Sequence, residues 1–517
     1  MGAWSKAICW LLASILLGAC SNSDDDNESR PETGSPARGS LIERPPARIA
    51  SVTSSDLFAA LTAGSTGQRI LELITSPECG IDIHQLRYNT FDAVGEATTA
   101  SGALMIPAGS DPACQGPRPI VVYAHGTAAE RAYNIADITD ADNGEGLLIA
   151  AVFAAQGYIV VAPNYAGYDS STLDHHPFLN ADQQARDVED ALTAARSSLP
   201  TRFAPDVSDS GKLFIMGYSQ GGYVAMATHR LLQASGTSVT ASAPMSGPYA
   251  LAAFGDAVFY GQVVASAPLF LTFLATGYQR AYGNIYDTPT ELFEAQYTAD
   301  IETLLPTAGA RSRLFDEGHL PSDQLFSSTP PDPAYAPYTP ATLPGDLAPV
   351  FARGFGPDHL TTNAFRLAYL QDAQSNPDGG FPNTTDGLPA PSPAHGLRQA
   401  FKTNDLRNWV PESPVLLCAG NEDPTVLFMN TQLMQGYWAV NADDAPVEIL
   451  DVDASISLDD PDATLKAGFA AAKEALAAGA VAEGATDGGA AAVQEAYHST
   501  LVPPFCLAAV RSFFDGL

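Results

Sequence analysis

A chain of 517 residues, 46% of them hydrophobic, can bury a large core, and 58 acidic against 25 basic residues leave it a net charge of −33. That balance repels nucleic acid and anionic membrane faces, so charge holds the protein to neither. From about Arg48 to Leu517 the length suits a single α/β domain carrying insertions.

The first residues read as an address. Lys6 precedes an apolar run, Ala7 to Leu17, too short to span a bilayer, and Gly18 and Ala19 precede Cys20. This is the pattern of a secretory signal peptide over residues 1–19. Leu17-Gly18-Ala19-Cys20 resembles the lipobox of bacterial lipoproteins. The resemblance implies an acylated Cys20, through which an exported protein is anchored to a membrane on its outer-membrane, periplasmic or cell-surface side. Acyl burial contributes about 0.8 kcal/mol per methylene, so more than one chain anchors stably. The alternative is an ordinary cleavage site with a cysteine nearby. Ser21 to Pro46 is polar and proline-rich, so residues 20–47 are expected to form a disordered tether with a reach on the order of 30 Å.

Two alternating stretches, Ile83 to Asn89 and Ala97 to Ile106, predict strands joined by a turn at Ala93-Val94-Gly95. Short apolar strands and helices then alternate: strand Pro119–Ala124, helix Gly146–Gln156, strand Tyr158–Ala162, helix Ala181–Ser198, strand Leu213–Tyr218, helix Gly221–Ala234 and strand Val239–Met245. This rhythm implies a parallel sheet covered on both faces. It breaks at Ser246-Gly247-Pro248, and the stretch that follows is partly apolar and helical, partly proline-rich. So long a segment without structure is implausible, so residues 248–411 are expected to form a cap inserted between core segments 48–247 and 412–517. Strand Val415–Cys418, helix Leu427–Val440 and strand Val447–Val452 resume the pattern. A second insertion, Ser455 to Gln494, carries one expected helix at Pro461–Ala478, and the last helix is Pro503–Phe514.

Gly217-Tyr218-Ser219-Gln220-Gly221-Gly222 lies between a predicted strand and a predicted helix. A serine exposed on so sharp a turn needs glycine on either side of it, and Ser219 is therefore the candidate nucleophile. A neutral serine needs a base and an orienting acid. Gly420-Asn421-Glu422-Asp423-Pro424-Thr425-Val426 follows a strand, and its spacing favours Asp423 over its neighbour Glu422. Of the nine histidines only His498 lies beyond Asp423, in an expected loop before the last helix; His84, His229, His319 and His395 have no such claim. Candidate oxyanion donors are the backbone N–H groups of Gln220 and of Thr127, in the turn His125-Gly126-Thr127, with His125 a support of that turn.

These segments resemble the α/β-hydrolase superfamily. Gln156 to Tyr168 together with the long insertion looks more narrowly like the secretory lipases and their bacterial esterase relatives. The resemblance implies a mostly parallel central sheet of about eight strands, helices on both faces and a mainly helical cap after strand six. It also implies a serine ester hydrolase acting on a small-molecule or lipid ester, with no metal or cofactor. A serine peptidase of the same fold and a hydrolase-fold lipoprotein without activity are the alternatives. Cys9 falls in the signal segment, which leaves Cys79, Cys114, Cys418 and Cys506 beyond Cys20, and an oxidising compartment predicts two disulfides among them. Three pairings are possible. Cys79–Cys114 is favoured because it flanks the first hairpin, and Cys418–Cys506 because it brackets the acid loop and His498.

Overall fold

The computed structural model describes residues 36–73, 76–138, 144–442 and 444–517. Its strands are β1 (Ala47–Val52), β2 (Gly80–Phe91), β3 (Ala97–Ala108), β4 (Gly116–Ala124), β5 (Ile159–Pro163), β6 (Val207–Tyr218), β7 (Ala241–Met245), β8 (Val415–Ala419) and β9 (Val447–Asp451). They form one sheet in the order β1-β2-β3-β5-β4-β6-β7-β8-β9. The β1–β2, β2–β3 and β3–β5 pairs are antiparallel, and β4 to β9 run parallel through the centre.

Strand alternation divides the interior into two cores. Ile120, Val122, Ile159 and Val161 point to one side, and Val121, Tyr123, Val160 and Ala162 to the other. The first side is covered by helices Ala181–Arg196 and Gln220–Ala234, the second by Gly144–Val152 and Val502–Asp515.

Among the described residues nine strands stand where eight were expected: β1, at the start of the core segment, was not foreseen, and the end of the expected tether just before it is ordered. Asn89 exchanges backbone hydrogen bonds with Gly39 and Ser40, Ile42 donates to Arg87, and Arg38 pairs with Asp190 at 2.7 Å. From Ala47 the chain runs as β1 along the same edge of β2. An open strand edge recruits a polar segment through its backbone, which needs no apolar side chains, so composition misjudged this stretch. Cys20 and the signal segment lie outside the described residues.

Between β7 and β8, residues 246–414 add no strand to the sheet; their regular structure is helical, joined by long irregular stretches, and the longest helices are Ala267–Tyr282 and Asn363–Ser375. Their apolar side chains join the core on the side of Ile120, and Ala37–Leu517 forms one compact unit. Three arginines are buried in this cap. Arg398 bonds Asp256 and Asp372, Arg407 bonds Asp378 and Asp405, and Arg366 donates to the carbonyls of Phe259 and Tyr338. The second insertion is thinner. Its helix Ala463–Ala482 buries only Phe469 and Ala472, and a further helix, Ala490–Ala496, follows it.

His498 is not in a loop. It sits in a π-helical turn, Tyr497–Leu501, continuous with the helices before and after. Cys79–Cys114 and Cys418–Cys506 are both disulfide-bonded. Among the described residues no helix is long and apolar enough to cross a membrane.

Candidate active site

The site stands where the parallel strands end. β6 runs into Ser219, which takes φ 60° and ψ −123° before helix Gln220–Ala234 begins. A non-glycine residue held there costs about 1–3 kcal/mol, a strain typical of functional positions. The neighbouring glycines make the turn possible. A Cβ on Gly217 would lie 2.2 Å from the Gly221 carbonyl oxygen, and one on Gly221 only 1.9 Å from that of Ala124.

Asp423 and His498 arrive from separate elements. Asp423 is fully buried, and its Oδ1 accepts the backbone N–H groups of Thr425 and Val426, each at 2.9 Å. Its Oδ2 accepts from His498 Nδ1 at 2.6 Å. His498 Nε2 lies 2.8 Å from Ser219 Oγ and accepts the hydroxyl proton. The Tyr218 hydroxyl donates to the His498 carbonyl at 2.6 Å. A serine, an imidazole and a carboxylate so linked can make the hydroxyl nucleophilic and store its proton on the ring. Glu422 turns away, and its carboxylate meets Lys473 at 2.8 Å.

Thr127, Ser219 and Gln220 line one cavity. Gln220 opens its helix, so its N–H has no carbonyl one turn earlier to bond. The turn bearing Thr127 is held from both ends. The ring nitrogens of His125 face the carbonyls of Gly126 (2.6 Å) and Asn164 (3.1 Å), its ring stacks on Tyr165, and burial lowers its pKa to about 4. Glu145 accepts the Gly126 N–H at 3.0 Å and the Tyr123 hydroxyl. Beneath Gln220 lies His176, whose Nδ1 donates to the Ala166 carbonyl at 3.1 Å. Its Nε2 therefore accepts from the side-chain Nε2 of Gln220 at 2.6 Å, and burial lowers the ring's pKa to about 3. Sequence reasoning passed over Glu145 and His176; a lone acid and a loop histidine carry no local signal of such partners.

Two spaces meet at Ser219. One is a narrow cavity of about 80 Å³, walled almost wholly by apolar side chains, among them Leu251, Phe254, Val258 and Leu274 of the cap. The other is a wide cleft of about 1070 Å³ that includes His498, Glu145, Arg311 and Arg353. Phe270 and Thr127 border both. Phe273 lies in neither wall; it stacks on Phe178 and meets His176 edge-on.

Solved structures of the rice cell wall degrading esterase LipA from Xanthomonas oryzae are similar to this chain. One is 29% identical, covers 80% of this chain and 91% of its own, and has a TM-score of 0.62. A ligand-bound form is 26% identical over 92% of this chain and 98% of its own, with a TM-score of 0.64. A Legionella pneumophila structure, 19% identical over 92% of this chain and 97% of its own, shares the fold at a TM-score of 0.61. The profile of the prolyl oligopeptidase family matches residues 148–237, which hold β5, β6 and the Ser219 turn. A comparison with curated proteins finds no match.

Proposed function

Starting from a hydrolase that belongs to the α/β-hydrolase superfamily, we propose that this chain cleaves carboxylic esters through an acyl-enzyme on Ser219. His498 takes the proton as Ser219 attacks the carbonyl, and Asp423 holds the imidazole in the tautomer that can accept it. The amides of Thr127 and Gln220 stabilise the tetrahedral oxyanion, each contributing roughly 3 kcal/mol to lowering the barrier. His498 then returns its proton to the leaving alkoxide, and water attacks the acyl-enzyme by the same route.

One observation carries the choice of ester. The cavity that opens at Ser219 is apolar along almost its whole wall. An acyl chain fills such a space and gains about 0.8 kcal/mol for each methylene it hides from water. A peptide would bring backbone N–H and C=O groups that such a wall cannot satisfy. The likeness to an esterase supports the same reading, whereas the peptidase profile covers only the stretch around Ser219, which the whole superfamily needs. The expected substrates are medium-chain esters.

The test pairs p-nitrophenyl esters of rising acyl length with a proline anilide. Ester turnover should rise from acetyl towards medium chains, the anilide should be inert, and a fluorophosphonate should label Ser219 alone. Ser219→Ala should lose both turnover and labelling. Faster turnover of the anilide than of any ester would overturn the reading.

We also propose export and acylation at Cys20. The two disulfides support an oxidising compartment. Expressed in a bacterium with its own leader, the protein should partition into detergent, and Cys20→Ser should return it to water. A mature N-terminus other than Cys20 would reject the anchor.

A further inference from the structure

The second insertion meets the acid loop through a polar knot, and its last residue, Gln494, lines the cleft at Ser219. Lys473, on helix Ala463–Ala482, donates to Asp453 Oδ2 at 2.7 Å and to Glu422 Oε2 at 2.8 Å. The Tyr497 hydroxyl also donates to Asp453 Oδ2, at 2.7 Å, and accepts the backbone N–H of Glu422 at 3.2 Å. Glu422 immediately precedes Asp423, and Tyr497 immediately precedes His498. The knot therefore ties the chain beside the acid to the chain beside the imidazole.

Its surroundings are specific. Phe469 and Lys473 lie one turn apart on the same helix face. Phe469 is fully buried and meets Tyr497 edge-on, with ring centres 5.7 Å apart, while the Lys473 ammonium lies 5.7 Å from the centre of the Tyr497 ring. The fit extends to the acid loop, where a Cβ on Gly420 would come within 2.5 Å of the Tyr497 hydroxyl oxygen. The π-turn divides the work. It sends the side chain of Tyr497 towards the acid loop and that of its neighbour His498 towards Ser219.

We propose that Tyr497, Asp453 and Lys473 are positioning residues that set the register between Asp423 and His498, and that the second insertion serves to supply Lys473. The inference rests on the reading of Ser219, His498 and Asp423 as the reacting groups. A small misplacement of such groups costs far more in rate than in binding or stability. None of Glu422, Asp453, Lys473 and Tyr497 lines the cavity or the cleft that open at Ser219, so loss of the knot should act on kcat and spare KM.

The experiment compares Tyr497→Phe, Lys473→Met and Lys473→Arg with the wild type and with Ser219→Ala, on one ester. Tyr497→Phe keeps the ring on Phe469 and removes only the hydroxyl. It and Lys473→Met should each lower kcat roughly tenfold, with KM unchanged. Both should also shift or broaden the far-downfield proton resonance of the His498–Asp423 hydrogen bond. Lys473→Arg, whose fork reaches both carboxylates, should restore kcat to within about twofold. If Ser219→Ala is inactive while Tyr497→Phe and Lys473→Met keep wild-type kcat and an unmoved resonance, the positioning role fails and the proposed function stands. A lowered melting temperature with unchanged kcat would likewise overturn it, by making the knot a clamp on the fold alone. Activity surviving in Ser219→Ala would defeat both.

Discussion

The two insertions solve the problem of attachment in opposite ways. The cap, residues 248–411, shares the core of the sheet and locks itself with arginines buried against paired carboxylates. The insertion at 455–494 lies on the outside, and its long helix buries only Phe469 and Ala472. An insertion that shapes the substrate's space must be as rigid as the core itself. One that steadies the chain beside the site needs only a few well-placed contacts, and most of its long helix stays solvated.

The largest effect expected lies where that contact touches the acid loop. Asp423→Asn should lower kcat by about 10⁴, because an amide favours the wrong tautomer of His498. Glu422→Gln weakens only a half-exposed pair with Lys473, so its kcat should fall by about tenfold at most, the loss expected of Lys473→Met. Equal losses in the two variants would erase the distinction between the acid and its neighbour.

Stability separates the insertions next. Arg407→Met leaves Asp378 and Asp405 buried without a cation and should cost about 3–5 kcal/mol in urea unfolding. Lys473→Met should cost about 1 kcal/mol or less. A milder loss at Arg407 than at Lys473 would reverse the comparison.

Acid should act on the seam between cap and core. His176 meets Phe273 of the cap edge-on, and His229 meets Trp409 in the same way. Burial lowers the pKa of His229 from 6.5 to about 4, so between those values the unfolded chain takes up a proton that the folded one refuses. The contribution of this residue therefore falls as pH drops from about 6.5 to 4, by up to about 3 kcal/mol, and is constant above that range. Melting temperatures across this range should show a shallower slope in His229→Gln than in the wild type. The second insertion contains no histidine and should add nothing to that slope.

The smallest effect concerns shape. Phe270→Ser opens the wall between cavity and cleft and should cost about 1 kcal/mol of preference for longer acyl chains, read as a flatter kcat/KM series. Phe273→Ser, packed against Phe178 and His176, should lower the melting temperature and leave the series alone.

Much of this was legible in the sequence, for identifiable reasons. Continuous apolar strands such as Ile159–Pro163 have no other use than a buried sheet, and the glycines around Ser219 mark a turn that tolerates no Cβ. Chain order named Asp423 and His498, and the fold brings both within hydrogen-bond reach of each other. What stayed hidden depends on partners far away in the chain. The polar residues before β1 give no sign that the edge of β2 will recruit them. The extra residue of the π-turn has no composition of its own. The arginines of the cap look like surface residues until Asp256 or Asp378 is found beside them.

The bond between Cys418 and Cys506 has a consequence for durability. It closes a covalent ring of chain around Asp423, His498 and the whole second insertion. A protease that cuts the exposed, alanine-rich helix at 463–482 would produce two polypeptides that are still one molecule. The C-terminal piece, carrying His498 eight residues before Cys506, would stay leashed within about 30 Å of its place and free to re-dock. Such a nicked form should keep its activity under oxidising conditions and lose it when the bond is reduced. The outermost turns of the fold can then be cut in a protease-rich setting so long as Lys473 keeps its place, and the bond decides whether the injury is silent or final.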